Sequence, residues 1–182
     1  MSHNAEGKIL IATPRISGKI FHKTVIYIHT DDDTGSIGVM LNVPMDYDTA
    51  QRWSQELGWE YPNKIYLGGP VERRLGYVIH TSDYSQDSSI VLNDDLAYTS
   101  GKNIMTDIRY GIGPAQFVLM TGYCAWQPRQ LSDEIEQGLW MVADYDLDYF
   151  FHGLAREPGW EHSVNVAARN ATNKLLDMVD SI

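Results

Sequence analysis

The chain has 182 residues, 43% of them hydrophobic, which suits one domain with a sizeable core and excludes a chain disordered throughout. Fourteen basic against 24 acidic residues leave a formal charge of −10, a field that repels nucleic acid and anionic membrane at long range. The one cysteine, Cys124, excludes an intramolecular disulfide and a multi-cysteine zinc site, and it fits a reducing compartment.

Residues 1–7 read as a polar tail without the apolar run of a signal peptide. The longest apolar run, residues 139–143, falls far short of the about 20 residues of a membrane span. The cytoplasm is therefore the expected location. Residues 8–12 form a short strand stopped by Thr13-Pro14. The β-branched segment 24–30 is a second strand, and 36–42 returns as a third. The polar run 31–35 between them reads as a five-residue hairpin connection. Residues 49–57 read as a helix that Thr49 caps, with Trp53 and Leu57 on one face. Strands follow at 64–67, 76–81, 89–92 and 96–99. A helix is expected at 102–110, ended by Gly111 and Gly113, and a buried strand at 116–123.

The periodicity then turns helical. Leu131, Ile135 and Leu139 place a helix over 130–139, and Leu147, Phe150 and Phe151 make a brief helical turn. In the last helix Trp160, Val164, Ala167, Ala168, Ala171, Leu175 and Val179 fall on one stripe. Strands first and helices last favour an α+β fold over a doubly wound parallel sheet. No repeat or linker divides residues 1–182, so they are expected to form one domain.

The chemistry-bearing candidates are few. Gly68-Gly69-Pro70 is followed by Val-Glu-Arg-Arg, not by the Gly-Lys-Ser/Thr of a phosphate loop. The two glycines read first as a tight turn needing φ > 0. Their functional reading is a pair of bare N–H groups that accept an anion. Asp31-Asp32-Asp33 lacks the spacing of a helix–loop–helix calcium loop, because Gly35 stands one position early, and it reads as a solvated turn. His29 and His80, with His22 nearby in sequence, are candidate metal ligands only if the strands bring them together. Cys124 lies at the end of a buried strand just before a helix. A thiol there acts as a nucleophile if its pKa is lowered and a base is in reach; otherwise it is a small buried hydrophobe. Gln130 stands at a helix start, where its side chain can satisfy an orphan backbone group, and Trp126 can cap the core. Tyr123, Trp126 and Gln130 read alternatively as the lip of a ligand pocket.

Four segments together resemble the YqgE/AlgH family of small bacterial proteins. They are Ile9-Leu10-Ile11-Ala12-Thr13-Pro14; Gly35-Ser36-Ile37-Gly38-Val39-Met40-Leu41-Asn42-Val43-Pro44; Tyr66-Leu67-Gly68-Gly69-Pro70-Val71 running on to Gly76-Tyr77-Val78-Ile79-His80-Thr81; and Gly122-Tyr123-Cys124-Ala125-Trp126 with Gln130-Leu131, Glu134-Ile135 and Trp140. The family commonly reads Gln-Leu-Glu where this chain has Gln130-Leu131-Ser132, and glycine is common at the places of Ala125 and Arg129. The resemblance implies an α+β domain with a barrel-like, bifurcated, mostly antiparallel sheet ringed by helices, and it supplies no activity. Some members are described as transcriptional regulators, which sits badly with a charge of −10 and no reading helix. The expectation is a regulatory or binding domain rather than an enzyme, without a cofactor, whose partner is another protein or a small molecule and not nucleic acid or membrane. The candidate ligand contacts are Gly68, Gly69, Tyr123, Trp126 and Gln130. The alternatives are a thiol enzyme using Cys124 and a metal-assisted hydrolase using His29 and His80.

Overall fold

The computed structural model describes residues 4–152 and 156–179. In chain order the elements are β1 (Ile9–Ala12), β2 (Val25–Asp32), β3 (Gly35–Met40), α1 (Tyr47–Leu57), a 3-10 turn (Pro62–Lys64), β4 (Ile65–Leu67), β5 (Val71–Thr81), β6 (Ser89–Val91), β7 (Leu96–Thr99), α2 (Lys102–Arg109), β8 (Phe117–Trp126), α3 (Gln130–Glu136), β9 (Trp140–Ala143), α4 (Leu147–His152) and α5 (Arg156–Val179). The strands form one curled, open half-barrel in the order β6-β7-β5-β8-β3-β2-β1-β9. β4 runs parallel to β8; every other pairing is antiparallel.

β8 is where the sheet forks. Along one edge it pairs with β5. Its other edge is shared, with β4 opposite residues 119–121 and β3 opposite residues 124–126. Both faces of the sheet are covered, so its central strands read as continuous apolar runs rather than as a polar alternation. Tyr27, Val39, Ile79 and Met120 face one side, beneath α4 and the start of α5. On the other side Leu10, Ile26, Ile28, Cys124 and Trp126 lie beneath the 13–24 loop and α3. Val78, Leu119, Ile104 and Ile108 make a third cluster with α1 and α2.

Several boundaries differ from the sequence reading for identifiable reasons. The β2–β3 connection is two residues, not five, because Asp32 pairs with Gly35 across the ladder. The Asp32 carboxylate closes the turn by accepting from the Thr34 amide (2.7 Å) and hydroxyl (2.6 Å). The cap of α1 is Asp46 rather than Thr49, its Oδ1 accepting from the Thr49 amide at 2.9 Å. β5 starts at Val71 and runs through an irregular stretch before Gly76. α3 stops at Glu136, and Gly138 at φ 71° turns the chain so that Leu139 packs from outside the helix.

The last helix is as long as expected, but two of the described side chains of its stripe do not pack on the core. Trp160, Val164 and Ala167 pack on the core, whereas Ala168 and Ala171 are exposed. A helix of 24 residues is about 36 Å long and overruns the face it covers. The side chains of Leu175 and Val179 lie outside the described residues. Residues 4–7 are not a free tail: Ala5 is fully buried, and its amide donates to Asp31 Oδ2 at 2.7 Å.

Candidate functional site

Strand alternation divides the candidate residues between the two faces of β8. Tyr123 faces the same side as Tyr27 and Tyr77. Together with His29 and Tyr98 they line an apolar hollow of about 220 Å³. Burial lowers the pKa of His29, with the nearby charge of Glu6 opposing it. The Tyr77 hydroxyl donates to Gly122 O at 2.8 Å, and burial pushes that phenol far above its ordinary range.

Cys124 and Trp126 face the opposite side. There they line a second cavity, of about 270 Å³, with Pro70, Gln130, Glu134, Leu139 and Trp140, roofed by the 13–24 loop through Arg15, Ile16 and Phe21. The sequence candidates around residues 68–70 and 123–130 therefore do meet, because the β4–β5 connection crosses directly behind β8. The two glycines serve that crossing and do not form a left-handed turn: neither has a positive φ. Gly68 is held by its own amide to Thr121 O (2.8 Å) and by its carbonyl accepting from the Met40 amide (2.7 Å). A Cβ on Gly69 would stand 2.1 Å from the Tyr123 carbonyl. Both glycines are buried, and Pro70 is the residue of that segment that reaches the cavity.

The polar groups of Trp126, Gln130, Glu134 and Trp140 in the cavity are bound to one another. Glu134 Oε2 accepts from the indole N–H of Trp126 (2.9 Å) and of Trp140 (2.8 Å). Glu134 Oε1 accepts from Gln130 Nε2 at 2.9 Å, and Gln130 Oε1 accepts from the Gln127 amide at 2.9 Å. Gln130 thus satisfies a backbone donor just ahead of α3, without capping the helix, and also holds the carboxylate in place. Phe21, Trp140 and Trp126 form an edge-to-face series with centroids 6.0 and 6.3 Å apart. The roof is pinned from both ends. Thr13 Oγ1 donates to Gly138 O at 2.8 Å. The Arg156 guanidinium donates to the carbonyls of Lys19, Ile20 and His22, each at 3.0 Å.

Cys124 is 1% exposed, and its sulfur lies 3.5 Å from Gly68 O. Burial alone pushes its thiol up to about 12, so it stays protonated at neutral pH. This is the buried hydrophobe of the two sequence readings. His29 and His80 do not meet: His29 faces the hollow, while His80 is fully buried on the other face against Tyr84. His80 Nε2 and the Thr99 hydroxyl share a hydrogen bond of 2.8 Å. Among the described residues no group of three or more His, Cys, Asp or Glu side chains is placed to hold a metal ion. No helix there is long and apolar enough to cross a membrane.

Glu134 is the central residue that the sequence reading did not single out as a site. Its signal was available in the i, i+4 spacing from Gln130, which puts the two side chains side by side on a helix. Arg15 and Phe21 carry no local signal, since only the folded loop brings them over β8.

These features define a small α+β protein with a forked half-barrel sheet and an aromatic cleft at the fork. The AlgH-like family model matches residues 9–170, and the chain belongs to that family. It is 36% identical over 154 residues to a UPF0301 protein of Rickettsia rickettsii, covering 82% of each chain. A UPF0301 protein of Rickettsia canadensis matches at the same identity and coverage. The solution structure of the AlgH protein from Pseudomonas aeruginosa superposes with a TM-score of 0.74 at 26% identity, covering 91% of this chain and 90% of that one. A Corynebacterium diphtheriae protein shares the fold at 22% identity and a TM-score of 0.66, covering 87% and 85% of the two chains. The names of these relatives state no reaction.

Proposed function

We propose that the protein is a non-enzymatic binding domain of the cytoplasm, whose cleft between β8, α3 and the 13–24 loop receives an apolar or aromatic group of a small ligand or partner protein. The observation that carries this reading is the polar network around Glu134 in the cleft. Glu134 spends both oxygens on Trp126, Trp140 and Gln130, and Cys124 stays a protonated, buried thiol. Apart from Arg15 and Ser17 in the roof, what remains to meet a ligand is ring and aliphatic surface, from Phe21, Trp126, Leu139 and Trp140. A regulatory role would act through such contacts rather than through DNA, given the charge of −10. The single reduced thiol fits the cytoplasm.

The test is a thermal-shift screen against common metabolites, followed by mapping of each hit on the indole N–H resonances. A ligand at a hundredfold its Kd adds about 2.7 kcal/mol, a rise of roughly 5–11 °C for a chain of this size. The reading expects hits that move the Trp126 and Trp140 signals. Alkylation of Cys124 in the folded protein at the rate of a free thiol would overturn it. So would hits that consistently map away from both indoles.

A further inference from the structure

A second cleft, sharing no residue with the first, lies where β5 leaves its ladder. Val71 pairs with Tyr123 and Gly76 with Thr121, so residues 72–75 of β5 stand opposite Gly122 alone. All four are exposed, and Glu72 takes a left-handed φ of 48°. The excursion is seated tightly on β8. A Cβ on Gly122 would come within 2.6 Å of Gly69 O, 2.7 Å of Val71 O and 3.2 Å of Arg73 Cα. Arg73 and Arg74 are therefore displayed from a fixed bulge and not from a loose loop.

These two arginines line a cavity of about 390 Å³ with Met45, Asp46, Trp53 and Thr121. In a chain of charge −10, neither guanidinium takes part in the ion pairs among the described residues. The one carboxylate in the lining, Asp46, is occupied in capping α1. Thr121 is 1% exposed, and its hydroxyl has no partner among the described residues. A buried hydroxyl is ordinarily hydrogen-bonded. The cleft thus combines two unpaired cations, an orphan donor at its floor, and an apolar wall containing the Trp53 indole.

We propose that this cleft binds a small organic phosphate, with its phosphoryl oxygens on Arg73 and Arg74, its remaining acceptor toward the Thr121 hydroxyl, and its apolar body against Trp53 and Met45. Guanidinium forks match phosphoryl oxygens in pairs, and three terminal oxygens use a donor set that a carboxylate would leave part empty. The cavity has the size of a small-molecule site rather than of an extended interface.

Titration of the intact protein with phenyl phosphate, inorganic phosphate and phenol, at constant ionic strength and followed by amide and indole NMR signals, tests this. Phenyl phosphate is expected to give saturable shifts at Arg73, Arg74, Thr121 and the Trp53 indole. It should bind about tenfold more tightly than either fragment alone, the gain expected when charge and ring are both held. The exposed double substitution R73Q/R74Q should weaken it by about tenfold or more with an unchanged Tm. T121V, which keeps the shape and removes the donor, should weaken it by a few-fold. Absence of saturation at millimolar phenyl phosphate overturns the proposal. Equal binding of phenol, or wild-type affinity in R73Q/R74Q, does the same.

Discussion

Glu134→Ala is the most informative single change to the aromatic cleft. The substitution removes one carboxylate that serves three donors. Gln130 is exposed and can turn to water, so its bond costs little. Trp126 and Trp140 are 7% and 5% exposed, and their indole N–H groups make no other hydrogen bond among the described residues. Each donor left unsatisfied costs about 1–3 kcal/mol. Glu134 itself is half-buried, so water enters part of the gap and the lower end applies, about 2–3 kcal/mol in all. For a chain of this length that lowers Tm by roughly 4–12 °C. Glu134→Gln retains an oxygen able to accept from both indoles, but it sets one amide NH2 against that of Gln130. Gln130 can turn over only by giving up the Gln127 amide, so the cost is about 1 kcal/mol. Thermal unfolding should rank wild type above Glu134→Gln and Glu134→Ala last. In Glu134→Ala both indole N–H signals should move and exchange faster with solvent. Unmoved indole signals, or Glu134→Ala within about 1 °C of wild type, would refute the network as the organiser of the cleft.

Arg129 holds a left-handed backbone of φ 69° just before α3, where L side chains are strained. Arg129→Gly should therefore raise stability by about 1 kcal/mol, read as a higher denaturant midpoint at unchanged slope. Gly69→Ala places a Cβ 2.1 Å from the Tyr123 carbonyl, and is expected to cost about 3 kcal/mol or more, or to leave the protein insoluble; a Tm equal to wild type would sink the close-approach argument. His80 has its pKa lowered, first by burial, with Thr81 and Asp83 opposing. Its contribution is whole above the ordinary 6.5 and is lost as pH falls toward the depressed folded value, because the unfolded chain takes up a proton that the buried ring refuses. The stability gap between wild type and His80→Gln should accordingly narrow in mildly acidic buffer, and a gap constant with pH would show that His80 does not titrate in this way.

The strands were legible because runs such as residues 25–28 are β-branched and buried on both faces. The α+β class follows from their preceding most of the helices. Failures cluster where a side chain or a long-range contact decides the backbone. Asp32 folds its own turn and shortens the hairpin connection. The charged run 72–75 looks like loop, yet Gly122 seats it inside a strand pair. The stripe of α5 is real in sequence, but the covered face ends near Ala167. In the cleft, Trp126 and Gln130 were readable from their place before an apolar helix. Tyr123 is adjacent to them in sequence, but strand alternation sends it through to the other face. The separation of His29 from His80 follows from the same alternation, applied across a sheet whose order the sequence does not state.

The fork in the sheet explains why both clefts lie where they do. On one edge of β8 the partner changes from β4 to β3 between Thr121 and Cys124. On the other edge, at the same level, β5 departs in its bulge. Regular ladders satisfy their own backbone and pack their own side chains, and a strand that loses register with both neighbours at once leaves groups without partners. The orphan hydroxyl of Thr121 and the shielded thiol of Cys124 flank this break, one toward each cleft. Gly68, Gly69 and Gly122 allow three backbone segments to cross there without side chains between them. A substitution that restored side chains at the crossing would therefore disturb both clefts together, whereas changes at Glu134 or Arg73 should each affect one alone. The fork couples the two clefts through packing, and the groups they present differ, indoles and a carboxylate in one and two guanidinium groups in the other.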